Sequence, residues 1–296
     1  MPYIGEIAAL STALFWSFSS YAFTSASIRV GAINLNIYRL IIACILIWAT
    51  IFCFGLMTSI SSEQIIYLTI SGIIGLAIGD SFLFKSYQMV GPRISIIVMS
   101  ASPALTAILA YMFFGEGLEK YAIIGICVTL AGILIVVTEK KISEQKNFKI
   151  TPRGMLYSAL GMLGQTIGLL FAKNAFSTGN LNGFLAGNIR ITSTIIFMLP
   201  ALIFMKRIDP PVKLFSSNKK GLFFVFAGAV LGPYAGITLS MEAIEHTQIG
   251  IASTLMSTMP IFMLPLSKFF YGEAFTLRRA VGALLAVAGV LILFLR

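Results

Sequence analysis

MSASPALTAILAYMFFGE at Met99–Glu116 and MSTMPIFMLPLSKFFYGE at Met256–Glu273 are the two stretches that decide how this chain folds. They lie 157 positions apart (256 − 99) and share Met-Ser, a proline three residues after the serine, and a closing Gly-Glu. The same shift carries Gly75 and Gly79 onto Gly232 and Gly236, Gly125 onto Gly282, and Ala131-Gly132 onto Ala288-Gly289. A shift of 151 carries Arg39 onto Arg190. The coincidences fall on Gly, Pro, Glu and Arg, not on interchangeable Leu and Ile. Shared apolar composition does not produce that, and the chain reads as an internal repeat.

Outward from these stretches, the apolar runs number ten: 4–26, 33–57, 64–84, 94–114, 121–138, 154–175, 181–205, 221–241, 249–270 and 276–295. A helix rises 1.5 Å per residue, so about 20 residues cross a hydrocarbon core. In lipid the backbone must be hydrogen-bonded within the segment, which selects helices for runs of this length. Of 296 residues, 58% are hydrophobic and 11% charged. A soluble domain carries roughly a quarter charged residues, so a soluble fold is excluded. Met1-Pro2-Tyr3 lacks the basic start of a secretion signal, and the run after it reads as the first span. The net charge of +10 does not indicate nucleic acid, because the Lys and Arg residues stand in loops between apolar runs. Cys44, Cys53 and Cys127 sit inside apolar runs without metal-ligand spacing and read as small buried residues.

The expected fold is therefore an all-α membrane protein of ten transmembrane helices. Two repeats of five, 1–139 and 153–296, are joined by a basic linker at 140–152. Five spans is an odd number, so the second repeat enters from the opposite side and is inverted. Inverted repeats related by a pseudo-two-fold axis enclose a central cavity near the midplane in many secondary transporters.

With these motifs in place, the chain resembles the drug/metabolite transporter superfamily and, within it, the EamA family. The residues that carry the resemblance are Pro103, Gly115-Glu116, Gly125 and Ala131-Gly132, then Pro260, Gly272-Glu273, Gly282 and Ala288-Gly289. Trp16-Ser17 and Arg39-x-x-x-Ala43 also match. The resemblance covers nearly the whole chain. Span six departs from it, with Gln165 near the place of Trp16. It implies ten spans and export of amino acids, metabolites or drugs; related branches carry nucleotide sugars and sugar phosphates.

Candidate residues follow from chemistry that is costly in a membrane. A charge at a span centre costs about 2.5–3.5 kcal/mol on insertion scales. Asp80 and Arg39 lie at similar depth and are expected either to pair structurally or to bind substrate. Arg190 has Glu242 as its nearest acidic neighbour by depth; the two are expected to form a structural ion pair, with an arginine snorkelling to the interface, or a zwitterionic or anionic substrate or a proton held there, as the alternatives. Pro103 and Pro260 fall mid-span. Each removes a backbone donor, which makes it either a hinge exposing carbonyls beside Ser100 and Ser257 or a static kink. Glu116 and Glu273 are expected to cap the helices that follow them. Gly75/Gly79 and Gly232/Gly236 are close-packing motifs. Trp16, Ser17, Tyr21, Gln165 and Tyr234 are candidates to line an apolar pocket with a few placed polar groups. His246 reads as a solvent-exposed loop residue.

No metal-ligand cluster, phosphate-binding loop or nucleotide-binding domain is evident, so neither an enzyme nor a primary pump is indicated, and no cofactor. The reading is a secondary transporter of a small polar or amphipathic metabolite, an exporter, acting as uniporter, as exchanger or coupled to an ion gradient such as that of protons. The alternatives are a lipid-carrier flippase and a non-transporting membrane assembly subunit. Its partners are a small-molecule substrate and the lipid bilayer, as monomer or homodimer. Only Lys120, Lys173 and Arg296 stand on the side of the termini, against the clusters Lys140–Arg153 and Lys206–Lys220 and further cations on the other. The positive-inside rule makes that basic side cytoplasmic and both termini external, in the plasma or inner membrane. The family resemblance implies the opposite.

Overall fold

The computed structural model describes residues 3–114, 120–137, 149–216, 218–247, 249–271 and 276–293. Glu116, Glu273 and most of the linker lie outside them. No strand occurs among the described residues. Helix α1 is Ile4–Val30 and α2 is Ala32–Phe54. Next come α3 (Ser62–Gly72), a π segment (Ile73–Gly79), α4 (Asp80–Met99), α5 (Ser102–Phe114) and α6 (Lys120–Val137). The second half holds α7 (Pro152–Ser177), α8 (Gly183–Phe204), a short α9 (Pro211–Ser216) and α10 (Lys219–Ala229). A second π segment (Val230–Ile237) leads into α11 (Thr238–His246), then α12 (Ile249–Met256), α13 (Met259–Tyr271) and α14 (Leu277–Leu293).

Among the described residues, five helical stretches are long and apolar enough to cross a membrane: Ala32–Phe54, Ser62–Met99, Pro152–Ser177, Gly183–Phe204 and Lys219–His246. Their outward faces carry Phe52, Ile45, Ile196, Phe204 and Phe223, all exposed. Their inward faces bury Ser, Thr, Asn, Arg and Asp. That polarity suits a lipid surround and would be unsustainable in water. Many of the buried hydroxyls bond back to their own helices. Thr12 donates to Ala8 O at 2.8 Å and Thr24 to Ser20 O at 2.7 Å, the usual back-bonding of Ser and Thr. Cys53 and Cys127 are exposed on outer faces, which corrects their reading as buried. They lie on helix faces turned to lipid, where a small apolar side chain needs no cover.

Local signals start and stop the helices as their chemistry requires. Ser61 and Gln64 form a capping box at the start of α3. Thr151, Asn182 and Asn218 cap α7, α8 and α10 by accepting N–H groups of the first turn. Gly31 (φ 83°) turns the chain between α1 and α2. Gly91 (φ 80°), followed by Pro92, kinks α4 sharply and takes the place of the loop expected at 85–93.

The expected span 94–114 is likewise not continuous. It breaks at Ser100–Ala101, and its counterpart breaks at Ser257–Thr258, again 157 positions on. Pro103 and Pro260 are therefore not mid-helix. Each is the second residue of a new helix, in the first turn, where a missing N–H costs nothing. The two π segments begin 157 positions apart as well, so the irregularities repeat with the sequence.

Helix ends gather in two layers. At one, Thr247 donates to Glu6 (3.2 Å), Asn182 to Leu56 O (2.8 Å) and Lys173 to Ile244 O (3.1 Å). At the other, Asn34 and Asp209 exchange hydrogen bonds (2.7 and 3.1 Å) and Arg278 reaches Ile135 O (3.3 Å). The first helix of each half packs against the other half: α1 against α10 to α13, and α7 against α3 to α5. Gly164 and Gly168 of α7 lie against Gly79 and Gly75, where an added Cβ would meet backbone at 2.7 and 3.0 Å. Helices α6 and α14 meet reciprocally. A Cβ on Gly132 would strike the backbone of Ala286, and one on Gly289 the backbone of Thr129, residues related by the same 157-residue shift.

Gly132→Leu is expected to destabilise the protein by at least about 1–3 kcal/mol through overpacking, seen as a lower thermal unfolding midpoint. Phe52→Leu, on the outward face, should change it by no more than about 0.5 kcal/mol. Equal midpoints for the two variants would contradict close backbone approach between α6 and α14.

Candidate functional site

Asp80 is placed by the π segment before it. The wider π turn hands the N–H of Asp80 to Gly75 O, five residues back. The carboxylate then points inward from the middle of the long Ser62–Met99 helix. Arg39 comes from the second turn of α2. Its guanidinium pairs with Asp80 Oδ2 and also donates to Asn36 Oδ1, from Nη2 at 2.9 Å and Nε at 3.2 Å. It lies between the rings of Phe84 (4.6 Å) and Phe23 (5.2 Å), whose π faces favour a cation. Gln165 of α7 donates to Asp80 Oδ1 and, at 3.3 Å, to Gly75 O. Asn36 in turn donates to Leu76 O at 2.9 Å, in the π segment. Arg39 and Asp80 are 3% and 4% exposed, so the pair is fully withdrawn from solvent.

This cluster borders a cavity of about 140 Å³. Both halves line it: Trp16, Ser19 and Phe23 of α1, Arg39, Leu76 and Asp80, then Gln165 and Leu169 of α7, Arg190 of α8 and Gly232. The two helix breaks contribute Met99, Ser100 and Ser102 on one side and Met256, Ser257, Met259 and Pro260 on the other. Most of the lining is apolar, with a few polar groups set among it, the usual composition of a ligand pocket.

The structure brings Arg39 and Asp80 together as an ion pair. Trp16, Ser100, Gln165 and Ser257 do line the cavity. Three other candidates do not. Ser17 is turned to Ala13 O (2.6 Å) and Met259 O (3.4 Å). Tyr21 donates to Met263 O at 3.3 Å and stacks on Phe270. Tyr234 meets Thr50 Oγ1 at 3.0 Å. Each of the three serves helix packing at its own depth.

The pair Arg190–Glu242 is not formed. Glu242 faces Gly183 and pairs with the exposed His246 at 3.4 Å. Arg190 instead enters the cavity lining. Matching by depth failed there because α8 turns Arg190 toward the centre while Glu242 faces the end layer. Sequence reasoning also missed Phe23, Phe84 and Asn36. Asn36 stands three residues before Arg39, a helical neighbour spacing that signalled the contact. The two rings come from other helices and left no such signal.

Comparison with known proteins agrees with this architecture. A solved crystal structure superposes with a TM-score of 0.69 over 97% of this chain and 95% of that one, at 17% identity, a likeness of fold alone. The uncharacterized transporter YyaM of Bacillus subtilis is 27% identical over 109 residues, which span 37% of this chain and 36% of that protein. The EamA-like transporter family matches residues 3–138 and again 152–295, nearly the full length in two copies. The chain is a multi-pass membrane protein that belongs to the EamA-like transporter family.

Proposed function

We propose that this protein is a secondary transporter that moves a small polar or amphipathic metabolite, in the exporting direction, by alternating access. The carrying observation is the cavity between the halves, with the buried Arg39–Asp80 pair and its partner Gln165 on its wall. Ionisable groups at this depth face the bundle interior and mark solute pathways by default. The reading has ten spans in two inverted five-helix repeats, 1–139 and 153–296, joined by a linker at 140–152. The reciprocal packing of α6 with α14 and the exchange of α1 and α7 between halves support it. The breaks at Ser100 and Ser257, each followed by a proline, are the hinges about which the cavity opens to one side and then the other. Gln165 ties the second half to the charge pair of the first, so the cluster senses their relative position. A cavity of about 140 Å³, room for a body about the size of benzene, favours a small solute over a lipid-linked sugar.

A counterflow screen of amino acids, nucleosides and sugar phosphates in proteoliposomes tests the function directly. Asp80→Asn alone should abolish flux and lower stability by about 3–5 kcal/mol, because it leaves the buried Arg39 guanidinium uncompensated. The double variant Arg39→Met/Asp80→Leu should recover the stability and still not transport. Flux retained by the double variant would reduce the pair to scaffold. The basic ends are proposed to be cytoplasmic, with both termini external. A C-terminal alkaline phosphatase fusion should then be active and a C-terminal GFP fusion dark; the reverse pattern refutes this orientation.

A further inference from the structure

Among the described residues the charged groups on the cavity wall are Arg39, Asp80 and Arg190, a net charge of +1. All three are 3–4% exposed. Asp80 is used up: one oxygen takes Arg39, the other Gln165. Arg190 is not. Its Nε is buried with no hydrogen-bond partner, and Nη1 meets only the weak acceptor Met241 Sδ at 3.5 Å. Among the described residues no carboxylate pairs with it; Asp80 acts on it only through space. Its Nη2 lies beside Gly75 of the π segment, where a Cβ would stand at ordinary contact distance, 3.4 Å.

From this we infer that Arg190 is the anion-binding residue of the cavity and that the transported solute is a small organic monoanion. The inference rests on the transport reading above and assigns its substrate class. A guanidinium buried without a counter-charge is costly, and a ligand carboxylate is the group that matches its fork of donors. One carboxylate brings the cavity charge to zero. An ammonium finds hydroxyl oxygens of serines there but, among the described residues, no free negative charge, so a zwitterion or an amine is disfavoured. The remaining wall, with Trp16, Leu76 and Met256, receives an apolar body. The volume holds a body about the size of benzene.

The test uses two carbon skeletons, each carrying one of three charges. These are 4-methylpentanoate, leucine and 3-methylbutylamine, and 3-phenylpropanoate, phenylalanine and phenethylamine. Thermal unfolding of the full chain in detergent and counterflow in proteoliposomes are the readouts. For at least one skeleton the carboxylate should raise the unfolding midpoint and be carried at least tenfold faster than its zwitterion or amine. Arg190→Gln should remove both effects. Without ligand, Arg190→Met should unfold at a higher temperature than the natural protein, because an unpaired buried charge has been replaced by an apolar chain of similar length. A purely structural arginine would give a lower one. Carriage of leucine or phenylalanine in preference to the matching carboxylate, or undiminished carboxylate flux in Arg190→Gln, overturns the monoanion and leaves the transporter reading standing. If the natural protein moves no solute in this set or in the wider screen, both readings fall.

Discussion

A carboxylate in the middle of a membrane helix must be neutralised where it stands, and the interior of this protein is organised around Asp80. One of its oxygens takes Arg39 of α2 and the other takes Gln165 of α7. The two partners belong to different halves of the chain. In water such contacts are worth little, because solvent screens them. In a low-dielectric interior, losing one partner strands the other, so the three side chains stay together or fail together. The aromatic faces of Phe23 and Phe84 and the amide of Asn36 complete the shell of Arg39.

The backbone around Asp80 serves the same requirement. A π segment cannot satisfy its carbonyls as evenly as an α-helix. Here the side-chain amides of Asn36 and Gln165 donate to Leu76 O and Gly75 O. The same segment carries Gly75 and Gly79, which let α7 approach to backbone contact and bring Gln165 within reach. The second half repeats the π segment but fills the approach differently. Trp16 and Phe23 of α1 lie against Gly236 and Gly232 in place of the glycines of α7. The repeat is thus symmetric in backbone and asymmetric in chemistry. Among the described residues the only acid on the cavity wall is in the first half, and the arginine related to Arg39 by the 151-residue shift has no counterpart of Asp80.

That asymmetry shows where reading residues by position succeeds. Arg39 and Asp80 were legible as a pair because each had only one sensible partner at its depth. The same argument chose Glu242 for Arg190, and there it failed. Depth says nothing about rotation around a helix axis, and α8 turns Arg190 into the cavity. Ser17, Tyr21 and Tyr234 failed for the same reason: polar groups on buried helices satisfy neighbouring hydroxyls and carbonyls as readily as a solute. The prolines were legible as special but were placed mid-helix, because an apolar run does not reveal that it contains two helices.

By itself the sequence determined that the chain is helical, that it lives in a membrane and that its two halves are related. Those properties follow from run length, apolarity and the spacing of Gly, Pro and Glu, which are local or additive along the chain. Tertiary structure decided which helices cross between the halves, where the spans break, and which of two arginines finds a counter-charge. These depend on helix rotation and on close approach at single glycines, and neither leaves a periodic trace in the residues that precede or follow.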